Sequence, residues 1–150
     1  MANPIHAHYR ENEILTADPL KLVQMMYRAA IDSIGAARRH VRAGEIAERN
    51  LAIMRAWNIV NELMQSLNHA AGGEISRNLA GLYAYIQLRL LEANAQQTEP
   101  PLEEAEKLLA TLLEGWSSAA AEQNSPHASG SRTAASAGEP ENRVPVNYAY

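Results

Sequence analysis

The sequence predicts an all-α protein: an antiparallel up-and-down four-helix bundle with an N-terminal arm and a disordered C-terminal tail. Three observations carry that expectation. Four stretches repeat apolar residues at the three- and four-residue spacing that keeps them on one side of a helix, and none alternates with the period of two that marks a half-buried strand. Pro, Gly or a capping residue punctuates each stretch. The connections are a few residues long, too short to carry the chain back along a helix of about 30 to 35 Å, so successive helices must reverse direction. The boundaries read as an arm over residues 1–17, a bundle over 18–120 and a tail over 121–150.

In the first helix Asp18 caps the N-terminus and Pro19 sits at the first position, where its missing N–H costs nothing. Its stripe runs through Leu22, Met26, Ala29, Ser33, Ala37 and Val41. Arg38, Arg39 and Arg42 gather near the C-terminus, where the helix dipole favours cations, and Gly44 supplies the stop. The second helix carries Ile46, Asn50, Ile53, Trp57, Val60, Met64 and Leu67 at alternating four and three, and Gly72-Gly73 is expected to end it in a reversing loop. The third places Ile75, Leu79, Leu82, Ile86, Leu90 and Ala93 on its seam. After the Thr98-Glu99-Pro100-Pro101 break, the fourth places Leu102, Ala105, Leu109, Leu112 and Trp116.

Beyond Ala119 the chain is mostly Ala, Ser, Gly, Pro and Asn, too poor in large apolar groups to offset the entropy of ordering it. Composition narrows the chemistry further. With no Phe and 5% aromatics, the core is expected to be aliphatic, built from Leu, Ile, Met and Ala. Thirteen Lys and Arg against seventeen Asp and Glu give a net charge of −4, the wrong sign for a protein that neutralises phosphates, so no nucleic-acid partner is expected. Zero Cys removes disulfides, thiolate metal sites and thiol nucleophiles, and suits a reducing cytoplasm. The start, MANPIHAHYRENEIL, has no basic segment followed by an apolar run. Nowhere do about 18 apolar residues run together, so neither a signal peptide nor membrane insertion is expected.

A catalytic reading finds little to hold. The di-metal signature of bundles is Glu three residues before His on an inward face, and none of the five histidines, at 6, 8, 40, 69 and 127, has it. Gly72-Gly73 is followed by Glu-Ile rather than Lys-Ser or Lys-Thr, so no phosphate loop is present. The tail serines have no fixed neighbours to activate them. The expectation is a protein that is not an enzyme and takes no cofactor or metal.

What remains is apolar surface beyond the seams: Leu51, Met54, Ile59 and Leu63 on the second helix, Tyr83, Tyr85, Leu88 and Leu91 on the third, and several residues on the first. Such wide arcs either fill the core of a Phe-less bundle or form a groove that receives an apolar partner. Ile53, Met54, Trp57, Leu79, Leu82, Tyr83 and Ile86 are the candidate groove residues. In the arm, Ile5, Tyr9, Ile14 and Leu15 are candidates to cover that groove when it is empty.

These residues also resemble a known family, the flagellar secretion chaperone FliS. The likeness spans about Tyr9 to Trp116 and rests on four separated motifs: YRENEILTADPLKLVQMMYRAAI, AWNIVNELMQSL, GGEISRNLAGLYAYIQLRLLEAN and EAEKLLATLLEGW. Departures are mild: Asp18 stands where the family commonly has Ser before Pro, Met26 where it often has Leu, and Arg28 where an acidic residue is usual. The resemblance implies a cytoplasmic bundle that binds the disordered C-terminal segment of flagellin, prevents premature polymerisation and delivers it to the flagellar type III export apparatus. It also implies that the arm contacts an export gate component of the FlhA type. The competing expectation is a structural or regulatory bundle that self-associates through the same faces.

Overall fold

The computed structural model describes residues 18–124, and their side chains to residue 122; the arm residues Ile5, Tyr9, Ile14 and Leu15 and the chain beyond Asn124 lie outside the described residues. Four helices follow one another: α1 (Pro19–Ala43), α2 (Ile46–Gln65), α3 (His69–Gln96) and α4 (Pro100–Asn124). Helix α1 packs on α2 and α4, and α3 packs on α2 and α4, closing a ring of four with α1 and α3 on one diagonal. Helix α4 continues to Asn124, past the boundary at 120 that composition suggested.

Local chemistry explains the ends. The Asp18 carboxylate accepts from the Lys21 backbone N–H at 2.8 Å, and Pro19 follows as the first helical residue. Gly44 has φ 70° and closes α1 in a paired stop: its own N–H reaches the Val41 carbonyl, and Glu45 N–H reaches the His40 carbonyl. The turn from α2 to α3 is made by residues 66–68, not by Gly72-Gly73. The Asn68 side chain caps the next turn by accepting from Ala71 N–H at 3.1 Å. The glycine pair therefore lies inside α3, where Gly73 breaks the helix at φ 52° and ψ −123°. Buried Ser76 donates from just beyond the break to the Asn68 carbonyl at 3.2 Å, tying the first turn to the rest.

The core is aliphatic along its length but not at its centre. Tyr27 of α1 and Tyr83 of α3 are both fully buried, with ring centroids 6.3 Å apart, and their hydroxyls hydrogen-bond to each other across the diagonal. The Trp116 indole N–H donates to the Tyr27 hydroxyl at 3.1 Å. A tyrosine pair thus takes the space that Phe would fill elsewhere, and it is admissible because the two hydroxyls satisfy each other. Around it pack Ile34, Ile53, Leu63, Ile86, Leu90, Leu102 and Leu109, all fully buried.

On three helices the expected seams are buried in part, and further residues join them. On α1 the expected Ser33 and Ala37 are buried, but so are the off-seam Val23, Tyr27, Ala30 and Ile34, while Ala29 is exposed. On α2 and the turn after it the expected Ile53, Val60 and Leu67 are buried, joined by Leu63, while Ile46 is 57% exposed. On α3 the expected Ile86, Leu90 and Ala93 are buried, joined by Tyr83, while Ile75 is exposed. On α4 the expected Leu102, Ala105 and Leu109 are all buried. Small alanines (Ala30, Ala37, Ala52, Ala56, Ala93) are also buried, and the expected seams include Ala37 and Ala93 but pass over the other three.

Candidate functional site

The seam between α2 and α3 is set by amide side chains. Asn94 donates from Nδ2 to Asn50 Oδ1 at 2.8 Å, and Gln87 donates to the Trp57 carbonyl at 3.4 Å and to Asn61 Oδ1 at 3.5 Å. In an antiparallel pair this register puts Met54 level with Leu91, and Trp57 and Asn58 level with Leu88. The outer edges of the two helices then carry one apolar strip: Leu51 (67% exposed) and Met54 (36%) on α2, Leu88 (54%) and Leu91 (44%) on α3. A shallow depression of about 410 Å³ runs along α2 between Leu51, Met54, Arg55, Asn58, Ile59 and Glu62. Trp57, half-buried between the edges, has an indole N–H that is shielded from water and has no acceptor. A buried donor without a partner costs about 1 to 3 kcal/mol.

The expected groove residues divide three ways. Ile53, Tyr83 and Ile86 are fully buried in the bundle interior and present no surface to a groove. Met54 and Trp57 lie at the α2–α3 seam. Leu79 and Leu82 are half-buried, and Leu82 shares its helix face with Tyr85 and Arg89, which bond Glu104 of α4, so it belongs to the α3–α4 side. Leu51, Leu88 and Leu91 stand among the off-seam apolar residues of the sequence but were not assigned to the groove. The missed signal is the spacing of Ser76, Tyr83, Ile86, Leu90 and Ala93, which turns Leu88 and Leu91 outward once Tyr83 is taken as core.

The other seams are clamped by charge. The Arg38 guanidinium of α1 donates from Nε to Glu99 at 2.9 Å, from Nη2 to Glu103 at 2.8 Å and from Nη1 to Glu106 at 3.0 Å, and Arg42 donates to Glu99 at 3.0 Å. Hydrogen bonds from Arg42 and then Arg38 hold the Glu99 carboxyl below the usual carboxylate range. The basic cluster of α1 is thus spent on α4 as well as on its own helix dipole. Between α3 and α4, Arg89 bonds Glu104 at 3.0 Å, and Tyr85 donates to the same carboxylate, which raises the phenol pKa.

Among the described residues no helix is long and apolar enough to cross a membrane, and no group of three or more His, Asp or Glu is poised to hold a metal ion. Fold and strip together define a helical bundle that offers a long apolar edge. A family model described as flagellar protein FliS matches residues 1–123. The flagellar secretion chaperone FliS of Salmonella typhimurium is 35% identical over 79% of this chain and 85% of its own length. The flagellar secretion chaperone FliSB of Pseudomonas aeruginosa is 31% identical over 71% and 84%, and the FliS of Bacillus subtilis is 30% identical over 85% and 95%. The chain belongs to the FliS family, whose members are flagellar secretion chaperones and not enzymes.

Proposed function

We propose that this chain is a cytoplasmic export chaperone that binds the disordered C-terminal segment of flagellin, keeps it from polymerising and delivers it to the flagellar type III export apparatus. The observation that carries the reading is the exposed apolar strip of Leu51, Met54, Leu88 and Leu91 beside the unpartnered Trp57 N–H, on a bundle of the FliS family. An amphipathic client helix would lay its apolar face along such a strip with anchors at i, i+3, i+4 and i+7. Because the client orders on binding, affinity comes from a large wrapped surface rather than a deep pocket. Leu79 and Leu82 extend the contact toward α4. In the free chaperone Ile5, Tyr9, Ile14 and Leu15 cover the strip and compete with the client, and the displaced arm engages an export gate component of the FlhA type.

Titrating the full chain with a peptide of about forty residues from the C-terminus of its own flagellin tests the reading. Saturable one-to-one binding with a gain of helical signal is expected. A chain that elutes as a stable dimer alone and does not bind the peptide would instead assign the strip to self-association.

A further inference from the structure

Among the described arginines, Arg49 at the start of α2 is unusual in being 6% exposed while forming no ion pair. Its Nε donates to Asn94 Oδ1 at 3.2 Å, and its Nη2 reaches the Asn94 carbonyl at 3.5 Å. Both acceptors are neutral. By contrast Arg38, Arg42 and Arg89 each find a carboxylate while more exposed. A guanidinium has five N–H donors, so most of this one remains unused, and Nη1, which has no partner, still reaches the surface. The Asn50–Asn94 hydrogen bond fixes the Asn94 amide with its oxygen toward Arg49, so the guanidinium is held in place before anything binds.

Resting on the reading above, we propose that Arg49 is a carboxylate-binding site at the Asn94 end of the α2–α3 seam, taking an Asp or Glu side chain of the client peptide. A buried cation without a counter-charge is costly, and a planar carboxylate matches the free edge of the fork in a way that a single neutral acceptor does not. Exposed Ile46, Leu51 and Leu91 lie within a turn or two of this position, so the expected ligand is an acidic residue flanked by apolar anchors. A polyanion such as nucleic acid is disfavoured, because the chain carries a net charge of −4 and the first turn of α2 adds Glu48.

The net charge supplies a clean test. Replacing every Asp and Glu of the flagellin C-terminal peptide by Asn and Gln should tighten binding to an acidic chaperone if only long-range repulsion acts. The Arg49 site requires the opposite, a weakening of about tenfold or more. Arg49→Met should weaken the unmodified peptide to a similar degree, leave the amide-substituted peptide unaffected, and keep or raise the thermal midpoint of the free chain. If Arg49→Met does not fold, Arg49→Lys and the two peptides on the unaltered chain decide the matter, with Arg49→Lys binding between the two levels. Equal or tighter binding of the amide peptide, or unchanged binding by Arg49→Met, overturns the inference and leaves the chaperone reading standing. Failure of the unaltered chain to bind either peptide overturns both.

Discussion

Leu51→Ala and Ile53→Ala lie two positions apart on α2 and separate groove from core. Leu51 is 67% exposed and Ile53 is fully buried. Complete burial of a Leu side chain is worth about 1.5 to 3 kcal/mol, so a client that covers the exposed two-thirds gains about 1 to 2 kcal/mol from it. Removing that surface should raise the Kd for the flagellin peptide by about 5- to 30-fold. Ala is the better helix former, and the site is on the surface, so stability should move by no more than about 0.5 kcal/mol. Ile53→Ala empties a packed site and should cost about 2 to 5 kcal/mol in folding. Its effect on binding should follow the lost folded fraction. Denaturant unfolding and peptide titration of the two variants, side by side, give four numbers. Unchanged affinity in Leu51→Ala, or a loss of stability equal to that of Ile53→Ala, would refute the placement of the strip.

Gly73→Ala should destabilise the bundle by about 1 to 3 kcal/mol, because no L side chain adopts φ 52° and ψ −123° without strain, although a Cβ there would meet nothing within 4 Å. Thermal unfolding checks it, and an unchanged midpoint would show that the break at Gly73 relaxes into continuous helix. The Glu99 carboxyl titrates below its unfolded value, so its contribution is complete above the ordinary Glu pKa of about 4.3 and is lost as pH falls through the lower folded-state value. Midpoints measured downward from neutral pH should therefore fall less steeply in Glu99→Gln than in the unaltered chain, and parallel curves would dismiss the network.

Helix number, order and approximate limits were legible because period and punctuation are local properties of the chain. Which flank of each helix faces inward was not, because that depends on the partner helix. Tyr83 shows why: it lies off the expected seam, yet its hydroxyl is satisfied inside the core by Tyr27 of α1, which also accepts from Trp116 of α4. The expected α3 seam is buried at Ile86, Leu90 and Ala93, but Tyr83 and Ile86 also stood among the groove candidates, while Leu88 and Leu91 did not. The Gly72-Gly73 reversal failed for a related reason. Asn68 and Ser76 together rebuild a turn that glycine alone would have ended. Arg49 carried no sequence signal, since nothing in its neighbours foretells a guanidinium packed on an asparagine of another helix.

The four seams are not equivalent, and the difference points to where a client enters. Helices α1 and α2 are joined through the two residues between Ala43 and Ile46 and share a deep interior. The α1–α4 and α3–α4 seams are bridged at their edges by arginine and glutamate. Exposed ion pairs add little stability, but they fix two helices in register and line the seam with charge, which repels an apolar ligand. Among the described residues α2 and α3 are bridged by amide side chains and by Arg49, whose acceptors are neutral, and no ion pair crosses this seam. That seam also holds the apolar strip, the unpartnered Trp57 N–H and the cation without a counter-charge. Each of those features costs the free protein something, and one occupant with an apolar face, a free acceptor and a carboxylate would relieve all three.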